Sequence, residues 1–399
     1  MTRIADLADW ACDARPGPAD IELARRALVD TVAVTLAAVD EPVAGWTAGS
    51  EAALRWAAVG HVLDFDDVHL PSTSHVSVVC TAAALAAGGG AREYLAAAGV
   101  MARLGAALGW EHYRAGWHAT CTADDPAAAV AAGLALGLDA GGLARALALS
   151  VPAAGGVQRA FGTGAKSLQV GFAAAAGVRA AHLAAAGASA DPTALDQWFG
   201  LVGGAGPVQL DGPLVPEGLA IKLHPCCYAL QRPISAARAL PPAPAEEVSR
   251  IHVRTPAVAL QPLIHDRPRT GLEGKFSLQY AVAAALLDGF PGAASFTDPA
   301  VDRPEAQRLV RCVEVEAEPG GTGILAGDVL IRRERAGGTV DEARLDVPDG
   351  HPLRPPTDDD LARKVTDCVG VDRAAEVLAL DWPGAAALLH RVLPGGAVG

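Results

Sequence analysis

Apolar residues recur at three- and four-residue intervals through most of residues 1–224, and this spacing predicts helices. Alanine dominates these segments. It has the highest helix propensity, and its small side chain lets neighbouring helices approach closely. Asp124 and Asp125 stand just before Pro126, where acidic residues are typical of a helix N-terminus. The predicted helices cover residues 21–36, 126–138, 141–150, 170–186 and 192–199.

The pattern changes near Pro225, where alternating positions and short apolar runs predict strands. Helical spacing returns after Thr357, which begins an N-capping cluster. The predicted strands cover residues 249–254, 311–317, 328–335 and 343–347, with one predicted helix, 278–287, among them. We therefore expect a mainly α fold: a large all-helical domain of residues 1–224 with 352–399, and a smaller α+β domain of residues 225–351.

Hydrophobic residues make up 51% of the 399-residue chain and the mean hydropathy is +0.25, so membrane spans have to be considered. Charged residues interrupt both of the most apolar runs: Asp139 and Arg145 within residues 127–154, and Arg179 within residues 172–190. A membrane helix needs about 20 consecutive apolar residues, so we expect none. The chain opens without the pattern of a secretory leader, which predicts a cytoplasmic protein whose seven cysteines are thiols.

The formal net charge of −13 argues against a general nucleic-acid-binding protein, which needs a basic face. A small anionic substrate needs only a local cluster of cations. Only four of the 32 Lys and Arg residues are lysines. A lysine within a polar motif of this arginine-rich chain therefore indicates a site that uses an ammonium rather than a guanidinium group. Lys166, Lys222 and Lys275 all lie in the motifs described below.

Several short motifs resemble cofactor or metal sites without meeting their requirements. Residues 162–167, GTGAKS, lack the glycine spacing of a phosphate loop, and residues 203–208 lack the strand–helix context of a dinucleotide site. Cys226 and Cys227 lie beside His224, but adjacent cysteines lack the two-residue spacer usual in zinc sites. We therefore expect no metal and no cofactor.

The densest polar cluster in an apolar neighbourhood is residues 61–69, HVLDFDDVH, followed by His75. If this segment is helical, Asp64 and Asp67 share one face, with His61 one turn earlier. It could be a solvated helix end, a magnesium site for a diphosphate, or an acid–base site in which a carboxylate orients an imidazole. The diphosphate site would need an aromatic-lined cavity, and aromatic residues are only 5% of the chain.

Four further polar motifs follow along the chain: GWHATCT at 116–122, GTGAKSLQVG at 162–171, KLHPCCY at 222–228 and RTGLEGKFSLQY at 269–280. They place lysines and histidines in small-residue surroundings that let a ligand come close. Ammonium groups beside imidazoles indicate proton chemistry next to a carboxylate.

In this order, the motifs resemble those of the MmgE/PrpD family, which includes methylcitrate dehydratase, cis-aconitate decarboxylase and iminodisuccinate epimerase. The resemblance extends over about residues 20–370 and includes GHPLRPPTDDDLARKV at 350–365. It implies a helical domain built from both ends of the chain, a smaller α+β domain, a homodimer, and no metal or organic cofactor.

The resemblance implies six site residues, and we add Gln169 and Asp67 from the same motifs, which gives two sets. The six are Asp64, His75, His118, Lys166, Lys222 and Tyr280. The catalytic set is Asp64, His75, His118 and Tyr280. The substrate-binding set is Lys166, Lys222, Gln169 and Asp67. Two positions depart from the family pattern, because Val68 stands where the family often has Thr and Gln169 stands where it usually has His. The segment before His61 is also shorter than usual. These departures point to a different substrate, in a specialised pathway.

The sequence thus predicts a cofactor-independent lyase, either a dehydratase or a decarboxylase, that acts on a small carboxylate-bearing substrate through an enolate- or carbanion-like intermediate. Lys166 and Lys222 would bind carboxylates. His75, oriented by Asp64, would move the proton, and His118 or Tyr280 would be the opposite acid. Two alternatives stay open: an epimerase or isomerase of a dicarboxylate, and a catalytically degenerate family member that serves as a binding protein.

Overall fold

The computed structural model describes residues 2–396, and their contacts form two compact units. The first unit comprises the chain up to Ile221 and from Cys368 onward, and the second comprises Lys222–Asp367. The predicted fold class, mainly α with a smaller part that mixes helix and sheet, is confirmed at this level. None of the helices in the described residues combines the length and the apolar character that crossing a membrane requires.

The predicted domain ranges stay predictions, and they differ from the compact units in residues 222–224 and 352–367. The structure groups these residues with the second unit. Arg363 lies over the ring of Phe290 at 5.0 Å, and Asp367 accepts a hydrogen bond from the Ala293 N–H at 2.8 Å. The helical spacing after residue 357 therefore does not by itself decide which unit a helix joins.

The first unit is entirely helical apart from isolated bridges in its described residues. Its helices are α1 (Arg3–Asp13), α2 (Pro18–Ala37), α3 (Pro42–Trp46), α4 (Ala52–His61), α5 (Ser77–Ala86), α6 (Ala91–Arg114), α7 (Ala119–Ala135), α8 (Ala140–Ser150), α9 (Ala165–Ala185) and α10 (Ala194–Leu201). Short 3-10 turns cover Val151–Ala153 and Gln158–Ala160.

Close approach of helices explains why this unit is rich in alanine and glycine. A Cβ on Gly177 of α9 would lie 2.4 Å from the backbone oxygen of Asp125 in α7. On another side of α9, a Cβ on Gly171 would lie 2.6 Å from the backbone oxygen of Leu54 in α4. Both contacts are too short for any larger side chain, so α9 is packed tightly between its neighbours.

Helix α7 begins earlier than the sequence pattern predicts. Asp124 and Asp125 lie inside it and are fully buried, and His118 is its N-cap residue. The prediction that the two acids begin the helix was therefore wrong. Burial raises the pKa of both carboxyl groups well above the usual value, so the core holds them as neutral acids.

The second unit combines helices with one four-stranded sheet. Its elements, in chain order, are α11 (Tyr228–Arg238), β1 (Val248–Pro256), α12 (Gly271–Gly274), α13 (Leu278–Asp288), α14 (Asp298–Val301), α15 (Pro304–Cys312), β2 (Val313–Glu318), β3 (Val329–Arg335), β4 (Val340–Leu345) and α16 (Asp358–Val369), whose last two residues count with the first unit. Short 3-10 turns cover Ala245–Glu247, Ala257–Leu260 and Ala293–Phe296. The chain then returns to the first unit with α17 (Val371–Leu378) and α18 (Trp382–Val392).

The strand order in the sheet is β2-β1-β3-β4, with β1 and β2 parallel and the other pairs antiparallel. Val253 of β1 pairs with Val315 of β2 and with Ile331 of β3. Ile251, Val253 and Ile331 are buried in one apolar core with α11, α13 and α15. The sheet therefore covers its helices with one face, as the alternating pattern predicts.

Candidate functional site

Four helix ends of the first unit carry one polar cluster. His61 ends α4, His75 lies just before α5, His118 precedes α7, and Lys166 and Gln169 lie in the first turns of α9. Helix ends leave backbone groups unpaired and let side chains turn away from the helix axis, which suits them to hold polar groups. These residues are up to 108 positions apart in sequence, yet the contacts described below join them.

The segment between α4 and α5, residues 62–76, is not helical as a whole. Asp64 has a φ of 54°, in the left-handed region that aspartate tolerates better than most residues. The helix ends at His61, so the face shared by Asp64 and Asp67 that helical geometry would create does not form. Instead, Asp66 joins His61 and His75.

A second histidine fixes this segment. His69 Nδ1 lies 2.8 Å from the hydroxyl of Ser72, and its Nε2 lies 2.8 Å from the carbonyl oxygen of Pro216. Val68 is buried and pairs through its backbone with Ala220, with its N–H donating at 2.9 Å. The segment that carries Asp64 and Asp66 is thus fixed by the side-chain contacts of His69 and by the backbone pairing of Val68.

Asp66 lies between two imidazoles. Its Oδ2 atom is 2.7 Å from Nδ1 of His61 and 3.1 Å from Nδ1 of His75; the second contact lacks the alignment of a good hydrogen bond. Burial opposes the charged form of Asp66, but the two imidazoles outweigh it and hold the pKa of the carboxyl well below its usual value. Burial lowers the pKa of His61 to about 4, against the opposing effect of Asp66. Asp66 is therefore a buried carboxylate beside a neutral His61.

Asp64 joins the imidazole of His75 to the ammonium group of Lys166. Lys166 Nζ donates to Asp64 Oδ1 at 2.8 Å, and His75 Nε2 lies 3.9 Å from the same oxygen. The side chains of His75, Asp64 and Lys166 are 13%, 16% and 20% exposed, whereas those of His61 and Asp66 are at most 1% exposed. The cluster therefore has a buried end and an end that small molecules can reach.

His118 also lies next to His61. The ring centroids of His75 and His61 are 4.6 Å apart, and those of His61 and His118 are 5.8 Å apart. The His118 ring also makes an edge contact with Phe161 at 5.0 Å. Burial, together with the neighbouring His61 and Lys166, keeps the pKa of His118 well below its usual value. The Nε2 atom of Gln169 lies 2.7 Å from Nδ1 of His118.

Asp67 points to a different set of partners. Its carboxyl group accepts hydrogen bonds from the N–H of Ser77, at 3.0 Å, and from the Ser77 hydroxyl, which also lies 2.7 Å from the Tyr94 hydroxyl. Burial raises the pKa of Asp67 to about 7, although the bonds from Ser77 act in the opposite direction. These contacts connect Asp67 with the start of α5, and its role in binding substrate stays a prediction.

Lys222 and Tyr280 belong to the second compact unit. Both are buried there, and the Tyr280 hydroxyl donates to the backbone oxygen of Ser295. Burial raises the pKa of the Tyr280 hydroxyl. Their assignment to the site stays a prediction that rests on the resemblance.

Among residues 2–396, one group of side chains has the spacing that a metal ion needs. His61, Asp66 and His75 offer ligand atoms that all lie within 4.8 Å of one another. Two imidazoles and a carboxylate are donors that suit zinc or iron. The same three side chains also form the proton-bearing contacts described above, so the arrangement fits acid–base chemistry as well.

Sequence reasoning did not assign His61, Asp66 or Phe161 to the site. His61 and Asp66 lie within the HVLDFDD motif, so the sequence pointed to the right segment. It could not show that the chain turns at Asp64, because that left-handed turn uses an aspartate rather than the glycine that would have marked it. Phe161 carried no signal, since a lone aromatic residue in a glycine-rich loop has no characteristic pattern.

Comparisons with known proteins found matches to most of the sequence. Residues 45–205 match the MmgE/PrpD N-terminal domain, and residues 224–380 match the MmgE/PrpD C-terminal domain. Human cis-aconitate decarboxylase is 28% identical over 260 residues, and the mouse cis-aconitate decarboxylase is 29% identical over 257 residues. Each match covers 59% of this chain and 52% of the relative, so the chain spans about half the length of these curated relatives. The two domain matches together cover well over half of the sequence, and the chain belongs to the MmgE/PrpD family.

Proposed function

We propose that the chain is a cofactor-independent lyase that removes water or CO₂ from a small carboxylate-bearing substrate through an enolate-like intermediate. The observation that carries this proposal is the continuous line of contacts from Lys166 through Asp64 to His75 and Asp66. It puts an ammonium group and an oriented imidazole side by side at the exposed end of the cluster. Both are needed where charge develops on a carbon next to a carboxylate.

His75 is the group that moves the proton. The buried carboxylate of Asp66 faces Nδ1 of His75, so Nε2 is the nitrogen that takes or gives the substrate's proton. In dehydration, Nε2 takes a proton from the carbon next to the carboxylate, the C–O bond breaks, and the protonated His75 gives this proton to the leaving hydroxide, which departs as water. In decarboxylation, His75 enters the step protonated. The C–C bond breaks first and CO₂ leaves; His75 then gives its proton to the carbon and regains one from solvent. An acid–base group of this kind contributes about 10²–10⁴-fold in rate.

Lys166 binds the carboxylate on which negative charge accumulates. Its ammonium group already lies against Asp64 at 2.8 Å, so a substrate carboxylate would share the ammonium with a resident carboxylate. This arrangement holds Lys166 in place before substrate arrives. A preorganised cation stabilises an enolate better than one that must be reoriented during the reaction.

Both relatives are cis-aconitate decarboxylases, which supports a lyase and makes cis-aconitate a substrate to test. Because the identity is low and the matches are partial, the substrate of this chain has to be found by testing a panel of small carboxylates. Val68 and Gln169, which depart from the family pattern, favour a substrate other than the familiar ones.

An epimerase of a dicarboxylate is the second candidate function. Epimerisation needs proton-handling groups on two sides of one carbon, and His61 has two further imidazoles next to it, those of His75 at 4.6 Å and His118 at 5.8 Å between ring centroids. A catalytically degenerate binding protein is the third candidate. It is disfavoured because the partly exposed His75 and Lys166 are both held in defined contacts.

The experiment that tests the proposal is proton NMR in D₂O with a panel of dicarboxylates and tricarboxylates that includes cis-aconitate. A lyase converts one substrate with loss of water or CO₂. Exchange of a carbon-bound proton for deuterium without such loss supports the epimerase, and binding without any conversion supports the binding protein.

We further propose that two copies of the chain associate, as the family resemblance implies. Large apolar side chains stay exposed on the first unit: Trp46, Phe172 and Leu183 are 63%, 55% and 52% exposed. Burying such side chains against a second copy would be favourable. Light scattering should give about twice the chain mass of 40.5 kDa, and a monomer at micromolar concentration would contradict the proposal.

A further inference from the structure

We propose that Gln169 fixes the tautomer of His118, so that this imidazole stays neutral and presents its Nε2–H to the ligand as a hydrogen-bond donor. The inference deepens the proposed function, because the ligand that receives this bond is the enolate-forming carboxylate of the proposed reaction. Gln169 is then a positioning residue, and it acts on the substrate through His118.

The orientation of the Gln169 amide is determined by the backbone of Val157. The Val157 N–H donates to Gln169 Oε1 at 3.1 Å, and Gln169 Nε2 lies 3.4 Å from the Val157 carbonyl oxygen. A flipped amide would place oxygen against oxygen and N–H against N–H. The NH₂ group is therefore the end of the amide that faces His118.

The backbone that orients the amide also holds the histidine. The His118 N–H donates to the Gly156 carbonyl oxygen at 3.0 Å, and the Gln158 N–H donates to the Gly116 carbonyl oxygen at 2.8 Å. Trp117 and Val157 form an isolated antiparallel bridge between these two hydrogen bonds. The amide and the imidazole are thus positioned by the same short pair of backbone segments.

Two donors converge on Nδ1 of His118. Gln169 Nε2 donates at 2.7 Å, and Cys121 Sγ lies 3.2 Å from the same nitrogen. Burial raises the pKa of the Cys121 thiol well above its usual value, so the sulfur retains its proton and offers a second donor to Nδ1 beside the stronger one from Gln169. A nitrogen that accepts hydrogen bonds carries no proton, so the proton of the neutral ring is on Nε2.

This arrangement also disfavours a positively charged His118. A second proton on Nδ1 would point at the N–H of Gln169 and at the thiol of Cys121, and burial further opposes the charge. A neutral imidazole does not readily give up its remaining proton. It instead donates a hydrogen bond to a developing oxyanion, as the neutral histidine of triosephosphate isomerase does. Within the described residues, Nε2 of His118 has no hydrogen-bond partner, which leaves it for a ligand.

The test is long-range proton–nitrogen NMR of protein labelled with ¹⁵N-histidine, without substrate, with the signals assigned by their loss in His118→Asn. We expect His118 to show an unprotonated Nδ1 and a protonated Nε2, unchanged between pH 5 and pH 9. A protonated Nδ1, or titration of the ring within this range, would overturn the proposal. This measurement does not require turnover, so it tests the tautomer of His118 whether or not the proposed lyase function is correct.

The matched variant is Gln169→Glu, which keeps the shape of the side chain and replaces the donor with an acceptor. We expect the proton of His118 to move to Nδ1, or the ring to become protonated on both nitrogens, and kcat on the panel substrate to fall on the order of 10²-fold. Gln169→His, which can again donate a hydrogen bond, should recover the Nε2–H tautomer.

Gln197→Glu, at an exposed position of α10, is the charge control and should leave the His118 signals unchanged. An unchanged His118 tautomer in folded Gln169→Glu would contradict the inference, and if that variant does not fold, the wild-type spectrum still decides it.

Discussion

Asp66 Oδ2 lies 3.1 Å from Nδ1 of His75, and this contact joins a buried carboxylate to a partly exposed imidazole. The neighbouring Asp64 lies farther from the ring, with Oδ1 3.9 Å from Nε2. Asp66 is therefore better placed than Asp64 to orient His75 and to stabilise its protonated form. The role of Asp64 in orienting the ring stays a prediction, and we propose a division of roles in which Asp66 orients His75 and Asp64 positions Lys166.

Replacing Asp66 by Asn tests this division. The amide has nearly the same shape but no charge, so it would no longer stabilise the proton that His75 acquires. We expect kcat to fall by about 10²–10⁴-fold with a smaller change in KM. Asp40→Asn, at an exposed position, is the control for loss of one charge. Near wild-type turnover in folded Asp66→Asn would show that His75 does not depend on this carboxylate.

Lys166 is expected to act in both binding and chemistry. Lys166→Ala removes the cation nearest to His75, so KM for the carboxylate should rise and kcat should fall. Lys166→Arg should recover only part of the loss, because the planar guanidinium cannot repeat the point contact of Nζ with Asp64. Arg145→Ala, at an exposed position of α8, removes one positive charge as a control. Steady-state kinetics on the panel substrate separates the two parameters, and unchanged kinetics in Lys166→Ala would contradict the role.

Asp67 should make the free energy of unfolding depend on pH. Its folded-state pKa of about 7 lies above the ordinary value of 3.8, so between these values the folded chain holds a proton that the unfolded chain releases. Stability therefore falls as the pH rises through this window, by up to about 1.4 kcal/mol per pH unit from this group. Asp67→Asn cannot titrate and should lack this component.

Urea unfolding of the wild type and Asp67→Asn at pH 5, 6, 7 and 8 measures the difference. The wild type should lose stability relative to the variant up to about pH 7, and the difference should then level off. Asp40→Asn should differ from the wild type by a constant amount. A constant difference for Asp67→Asn would show that Asp67 is ionised across the whole range.

Catalysis is expected to withstand removal of metal ions. His61, Asp66 and His75 could bind one, yet their contacts at 2.7 and 3.1 Å already suit proton-bearing pairs, and the proposed steps need only proton transfer and a cation. Turnover after dialysis against EDTA should equal turnover before it. Loss of activity that added zinc, iron or magnesium restores would replace the proton-based account of this cluster with a metal site.

Much of the helical layout could be predicted, because apolar periodicity records which face of a helix is buried. The segment predicted as 141–150 forms α8 (Ala140–Ser150), and the segment predicted as 278–287 forms α13 (Leu278–Asp288). The apolar spacing that predicts a helix over 170–186 begins five residues after the observed start of α9 at Ala165. The preceding glycines favoured a loop, and the first turn of the helix contains the polar Lys166 and Gln169 rather than an apolar stripe.

The site was predictable in its residue types and only partly in its geometry. The HVLDFDD motif pointed to carboxylates and imidazoles, but pairing Asp66 as well as Asp64 with His75 depends on the backbone turn at Asp64. The hydrogen bond from Gln169 to His118 depends on how the chain around Val157 packs beside Trp117. A contact between two segments this far apart leaves no recognisable pattern in the sequence of either segment, so sequence analysis could not predict it.

The most direct test of the central claim is the rate of conversion of the panel substrate, followed by NMR in D₂O, for the wild type, His75→Ala and the exposed-histidine control His182→Asn. If His75 moves the proton, His75→Ala should be at least about 10²-fold slower than the wild type, with unchanged unfolding in urea, and His182→Asn should match the wild type. Near wild-type conversion by His75→Ala would contradict the assigned chemistry even though the family and the fold stand.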